Sequence, residues 1–115
     1  MEGAAMNVLS LTGVLAADPV RRDTNKGVVC EFRLAVDSRP RLWIVVQTWG
    51  QLAGRCAQHL TSGRHVAVSG QLLCEEYVTR AGERATRWFS RATAVTFLDR
   101  PTHETPGAQM DEVAP

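Results

Sequence analysis

No run of 18 or more apolar residues occurs in this chain of 115, which excludes a membrane-spanning helix. Cysteine is scarce: there are three, Cys30, Cys56 and Cys74. An odd number cannot pair completely within one chain. There is no CxxC pair, and no Cys has a His at metal-ligand spacing, so neither a disulfide framework nor a zinc site is expected. Each Cys falls on the apolar parity or stripe of its segment, so reduced, buried thiols are expected. Signals for catalysis are missing too. No Gly-rich phosphate loop follows a strand, no nucleophile elbow surrounds a Ser, and the carboxylates form no nuclease-like metal cluster. His59, His65 and His103 read as surface residues. The expectation is a protein that is not an enzyme and has no cofactor and no metal. Met1 to Ala5 is short and carries a Glu, unlike a secretory signal, which predicts a cytoplasmic protein with no membrane partner.

What is present is a single-domain composition, with 44% hydrophobic residues and too little polarity for a disordered chain. Net charge is only +1, but it is unevenly spread: residues 1–98 carry 12 basic and 8 acidic side chains, residues 99–115 carry 1 and 4. A mildly basic body with an acidic tail suits a protein whose body meets phosphates. Twelve of the 13 basic residues are Arg, which pairs with phosphate and stacks on rings. A compositional bias toward GC-rich codons explains the same preference.

Period-2 alternation dominates. Asn7 to Leu15 reads as a strand with Leu9, Leu11 and Leu15 on one side. Gly13 interrupts that row, where a bulge or sharp coil is expected. Asp18-Pro19 is a turn and Asp23 to Gly27 a loop. Val28 to Asp37 is a second strand, with Val28, Cys30, Phe32, Leu34 and Val36 inward and Glu31, Arg33 and Asp37 outward. From Gln51 to Leu60 the period changes, and Leu52, Cys56 and Leu60 make one stripe of a short helix that Gly63 is placed to stop. His65 to Val78 is a long strand with Val66, Val68, Leu72 and Cys74 inward. A hairpin loop follows at Thr79 to Glu83, and Arg84 to Leu98 returns as a last strand whose broken parity predicts a bulge. Residues 1–5 and 99–115 are expected to be disordered ends around one domain, residues 6–98. Strands with one short helix between the third and fourth predict an all-β OB-fold, a five-stranded Greek-key barrel.

The most informative segment is the third strand, Leu42 to Trp49. Leu42, Ile44, Val46 and Thr48 share the inward parity, and Trp43, Val45, Gln47 and Trp49 share the other. Two indoles on an outer face, roughly 20 Å apart along a strand, suit separate stacking platforms for a flat ligand, and single-stranded nucleic acid fits best. Tyr77 adds a third ring off the core parity. Trp88 reads as packing or an interface. Arg22, Arg33, Arg39, Arg41, Arg80, Arg84 and Arg87 lie on loops or outward parities. Of these Arg33, Arg39 and Arg41 bracket the aromatic face, and Arg22 and Arg84 complete the candidate phosphate contacts.

Three stretches carry a family resemblance: MNVLSLTGVLAADPVRR, a strand ending in RLAVD, and LWIVVQTWGQLAGRCAQHLTSGRHVAVSGQL. Over residues 6–98 the chain resembles the bacterial single-stranded DNA-binding protein family. The resemblance implies an OB-fold homotetramer that wraps and protects single-stranded DNA in replication, recombination or repair, without sequence preference and in association with the nucleoid. It places Trp43, Trp49 and Tyr77 on three stacking positions of the family. Departures accompany it. The fourth aromatic position falls in the short Ser38 to Arg41 connection, which has no ring. Leu73-Cys74-Glu75-Glu76-Tyr77 carries two carboxylates where a basic run is usual, and Thr61 and Ser62 replace basic residues. The family's acidic tip, closed by Pro-Phe, recruits other enzymes. This chain ends Asp111-Glu112-Val113-Ala114-Pro115, so recruitment through that tip is not expected. Such departures are similar to those of accessory paralogues in high-GC Gram-positive bacteria. Glu75, Glu76 and the missing ring leave a second reading open, an OB-fold protein-interaction module with weak DNA affinity.

Overall fold

Alternating apolar residues give each strand one face to bury, and the computed structural model shows how those faces meet. It describes residues 5–98. The expected disordered ends therefore lie outside the described residues, apart from Ala5. The elements are β1 (Leu9–Leu15), β2 (Val20–Thr24), β3 (Gly27–Val36), β4 (Leu42–Trp49), α1 (Gly50–His59), β5 (His65–Val78) and β6 (Arg84–Phe97). Neighbours run β1-β5-β6-β4-β3-β2, and β1 also pairs with β3, so five strands close a ring. All pairings are antiparallel except β4 with β6. This is the OB topology, with the helix between β4 and β5.

One strand escaped the sequence reading. Val20–Thr24 forms β2, where a turn and loop were expected. All five of its residues are exposed, so no apolar alternation marks it. It pairs with residues 27–31 of β3, while β1 pairs with residues 34–36 of the same strand. β1 and β2 are thus two halves of one bent OB strand, interrupted around Asp18-Pro19, which reconciles six observed strands with the five expected. The β2–β3 turn is held by Thr24 Oγ1, which donates to the Gly27 carbonyl at 2.7 Å and accepts from the Lys26 amide at 3.1 Å.

Two glycines make closure possible. Gly13 pairs with Val36 on one side and Val66 on the other. A Cβ there would run into the Ala35 carbonyl oxygen. At Gly70 a Cβ would meet the Arg91 carbonyl oxygen, and the β5–β6 register shifts at Ser69/Gly70, leaving Thr93 as the extra residue. That is the bulge the last strand's broken parity predicted. Gly63 is different from its expected role. The helix ends at His59, the Leu60 amide caps it by donating to the Cys56 carbonyl at 3.0 Å, and Gly63 (φ 90) sits in the following turn, donating to the Leu15 carbonyl at 2.9 Å.

The core contains Leu15, Cys30, Phe32, Leu34, Val36, Val46, Val66, Val68, Ala92 and Val95, closed at one end by Ala53, Cys56 and Leu60. Each fully buried Leu or Val contributes ~1.5–3 kcal/mol. Thr48, the one polar member of its strand's inward set, is buried and satisfied, donating from Oγ1 to the Cys30 carbonyl at 2.8 Å. Leu42, Leu72 and Cys74 depart from expectation: all three are exposed. Their parity is inward, but Leu42 is the first residue of β4, and Leu72 and Cys74 lie past the end of the β1–β5 pairing. β5 leaves β1 after Gly70 and β6 leaves β4 at Phe89, and beyond that point the two strands run on as a two-stranded arm with no further strand paired to it among the described residues.

Burial raises the thiols of Cys30 and Cys56, the latter to about 11. A thiol-specific disulfide reagent at neutral pH should therefore spare Cys30 and Cys56 in the folded protein and reach them only on denaturation. A raised thiol in the folded state stabilises below the unfolded value of 9.0 and loses that contribution as pH climbs toward 11. Unfolding midpoints should fall over that interval, and less so in Cys56→Ala. Gly70→Ala should destabilise by about 1–3 kcal/mol, since the obstructing atoms are backbone and cannot rotate away; a thermal melt will show it.

Candidate nucleic-acid interface

The outer parities of β2, β3, β4 and β6 share one surface. Cross-strand register sets Arg33 beside Val45, Glu31 beside Gln47 and Ala35 beside Trp43, then Phe89 and Arg91 beside Val45 and Gln47 from the other edge. Trp43 is 50% exposed, and Trp49, at the strand's end, is half-buried. Each indole is attended by a guanidinium. Arg33 lies 5.0 Å from the Trp43 ring centroid and Arg91 lies 5.9 Å from that of Trp49. Such contacts hold the rings in place and set a cation against each of them.

Polar contacts continue the ordering. The Trp49 indole donates from Nε1 to Gln47 Oε1 at 2.8 Å, and Gln47 Nε2 donates to Glu31 Oε2 at 3.0 Å. Arg22 and Arg87 each approach that same oxygen, at 3.6 and 3.7 Å. A groove of about 300 Å³ lined by Lys26, Trp49 and Arg91 opens at the β2–β3 turn. A second, of about 290 Å³, is lined among others by Val20, Arg33 and Val45. Both are open clefts; the first is lined by cations beside Trp49, and the second by apolar side chains with Arg33, Asp18 and Glu31.

This chain matches the model of the single-strand binding protein family over residues 6–98. It belongs to that family. Among its relatives, the single-stranded DNA-binding protein of Thermotoga maritima is 32% identical, the alignment covering 93% of this chain and 84% of that protein. The Caldanaerobacter subterraneus subsp. tengcongensis protein of the same name is 36% identical over 82% of this chain and 69% of its own. Among solved structures, the small single-stranded DNA-binding protein from Streptomyces coelicolor superposes with a TM-score of 0.68 at 28% identity, covering 78% of this chain and 92% of that one.

The structure brings together four of the residues singled out from sequence: Trp43, Trp49, Arg33 and Arg22 share the outer surface of β2 to β4. Arg39 and Arg41 are exposed in the β3–β4 connection, next in chain to Trp43. Tyr77, 49% exposed, and Arg84 stand apart on the β5–β6 arm, where with Glu76 and Val78 they line their own groove of about 210 Å³. Counting along β5 from Gln71, which pairs with Arg91, Tyr77 lies roughly 20 Å out from the barrel face. Glu75, expected to repel phosphate, is partly neutralised by Arg87, whose Nε lies 3.3 Å away. Trp88 is 57% exposed on the opposite face of the arm, cross-strand from Cys74, so it packs into no core among the described residues. Sequence reasoning missed Arg91 and Lys26. The alternation Arg87, Phe89, Arg91 was the available signal for Arg91; Lys26 depends on the turn that the unrecognised β2 creates.

Proposed function

We propose that this chain is a non-enzymatic protein that binds single-stranded DNA without sequence preference, in DNA replication, recombination or repair. The observation that carries it is the pairing of two outward indoles with their own guanidinium groups on one OB-fold face, in a member of this family. Bases stack on Trp43 and Trp49, and phosphates run past Arg33, Arg91, Lys26, Arg39, Arg41 and, in part, Arg22. The arm continues the path through Tyr77 and Arg84. Such a surface reads no base edges, since a ring face offers every base the same contact. Cytoplasmic, nucleoid-associated residence follows from that activity.

The chain works as a homotetramer in this reading. Support comes from the arm: Leu72, Cys74, Trp88 and Val78 lie on the parity facing away from Tyr77 and are all exposed, at 36% for Leu72, 57% for Trp88 and 67% for Val78. These four share that face with Glu76, Thr86 and Arg84, and exposed apolar side chains on a two-stranded arm are a surface that a second copy would cover. The interaction-module reading draws on Glu75 and Glu76, and it predicts assembly with little DNA affinity.

Titrating oligo-dT while following Trp emission separates the two. Quenching at low salt that weakens steadily as salt rises is expected, and unquenched emission at low salt would sink the DNA reading. Trp43→Ala should weaken binding about 5- to 150-fold, the equivalent of ~1–3 kcal/mol for one stacked base. Sedimentation should give a tetramer for the native chain and a smaller species for Trp88→Glu; a native monomer would remove the assembly proposal.

A further inference from the structure

A face built for a polyanion carries one carboxylate at its centre. Glu31 is only 20% exposed, and its Oε2 alone receives Gln47 Nε2 at 3.0 Å, Arg22 at 3.6 Å and Arg87 at 3.7 Å. A stacking surface alone has no need of such a group, and phosphate would be repelled by it. Its contacts give it two other tasks. The first concerns polarity. A carboxylate only accepts, an indole N–H only donates, and a primary amide does both. With Glu31 on one side, the Gln47 NH2 must turn toward the carboxylate, which leaves Gln47 Oε1 for the Trp49 Nε1 hydrogen, at 2.8 Å. The acceptor-only carboxylate and the donor-only indole thereby demand the same orientation of the amide, and Glu31 anchors the end of that chain farthest from the ring. The second concerns charge: Arg22 and Arg87, 55% and 38% exposed, are drawn onto the sheet by the same oxygen.

We propose that Glu31 is the positioning residue of this face, fixing the Trp49 ring through Gln47 and withholding Arg22 and Arg87 from phosphate. The second half rests on the single-stranded DNA reading; the first does not. Neutral Glu31→Gln would weaken the relay by replacing the charged acceptor of Gln47 with a neutral one, and would release Arg22 outright and Arg87 to the extent that Glu75, 3.3 Å from its Nε, does not hold it. Glu31→Asp would keep the charge near both while its shorter reach breaks the bond to Gln47.

The test has two readouts. In a Trp43→Phe, Trp88→Phe background, Trp49 alone emits. Its steady-state anisotropy in the DNA-free protein should drop on Glu31→Gln, on Glu31→Asp and on Gln47→Leu alike. In the chain with all three Trp, oligo-dT affinity should fall more steeply with salt for Glu31→Gln, by about 0.7 in log–log slope for each Arg released to a phosphate. Between 50 and 200 mM salt that is about 2.6-fold extra loss for one Arg and about sevenfold for two. Gln47→Leu and Glu31→Asp should keep the native slope, and melting curves confirm that each variant is folded. Native anisotropy in Glu31→Gln and Gln47→Leu overturns the relay, and a native slope in Glu31→Gln overturns the withholding of Arg22 and Arg87. If the native chain fails to bind oligo-dT, the DNA reading and the withholding fall together, while the anisotropy still decides the relay.

Discussion

Closure of the sheet at Gly13 is the constraint on which the molecule depends. There β1 faces two partners, β3 through Val36 and β5 through Val66. No side chain fits between its backbone and the Ala35 carbonyl. Without that approach the ring would open, and each strand's apolar row would meet water. Thr12 and His65 reinforce the junction: Thr12 Oγ1 donates to Asp37 Oδ2 at 3.1 Å, and His65 Nε2 lies 2.9 Å from the same oxygen. Once the ring is closed, inward parities have one place to go, and the outward parities become a surface of fixed spacing. The positions of Trp43 and Trp49 are therefore a consequence of closure.

Strands that sit within the ring were legible because burial imposes alternation on them. Val28 to Val36 and Ile44 to Thr48 carry an inward row at period 2, and Cys30, Phe32, Leu34, Val36, Val46 and Thr48 of that row are buried, though Val29 and Ala35 of the other row are buried as well. The helix stripe was legible for the same reason: Cys56 and Leu60 are buried. Legibility failed where burial stops. β2 is exposed along its length and carries no pattern. Leu72 and Cys74 continue the inward parity of β5 after its pairing with β1 has ended, so sequence assigns them a burial that β5 alone does not supply there. The helix end was misplaced because Leu60 caps in an extended conformation, a role its apolar side chain does not announce.

The site divides along the same line. Trp43, Trp49 and Arg33 follow from β4 and β3 alone. Arg91 and Phe89 reach the face only through the parallel β4–β6 pairing, which joins strands separated in the chain by α1 and β5. Glu31 was read as an outward residue and nothing more. Its meaning depends on Gln47, Arg22 and Arg87, which come from three other strands and meet at one oxygen only after folding.

The guanidinium groups over the indoles have a thermodynamic consequence. Arg33 over Trp43 and Arg91 over Trp49 already shelter part of each ring and restrict four long or bulky side chains. A flat ligand stacking on either ring would cover only what its guanidinium leaves open. The entropy of ordering these four side chains is charged to folding and not to association, so what would be left to order is the ligand itself.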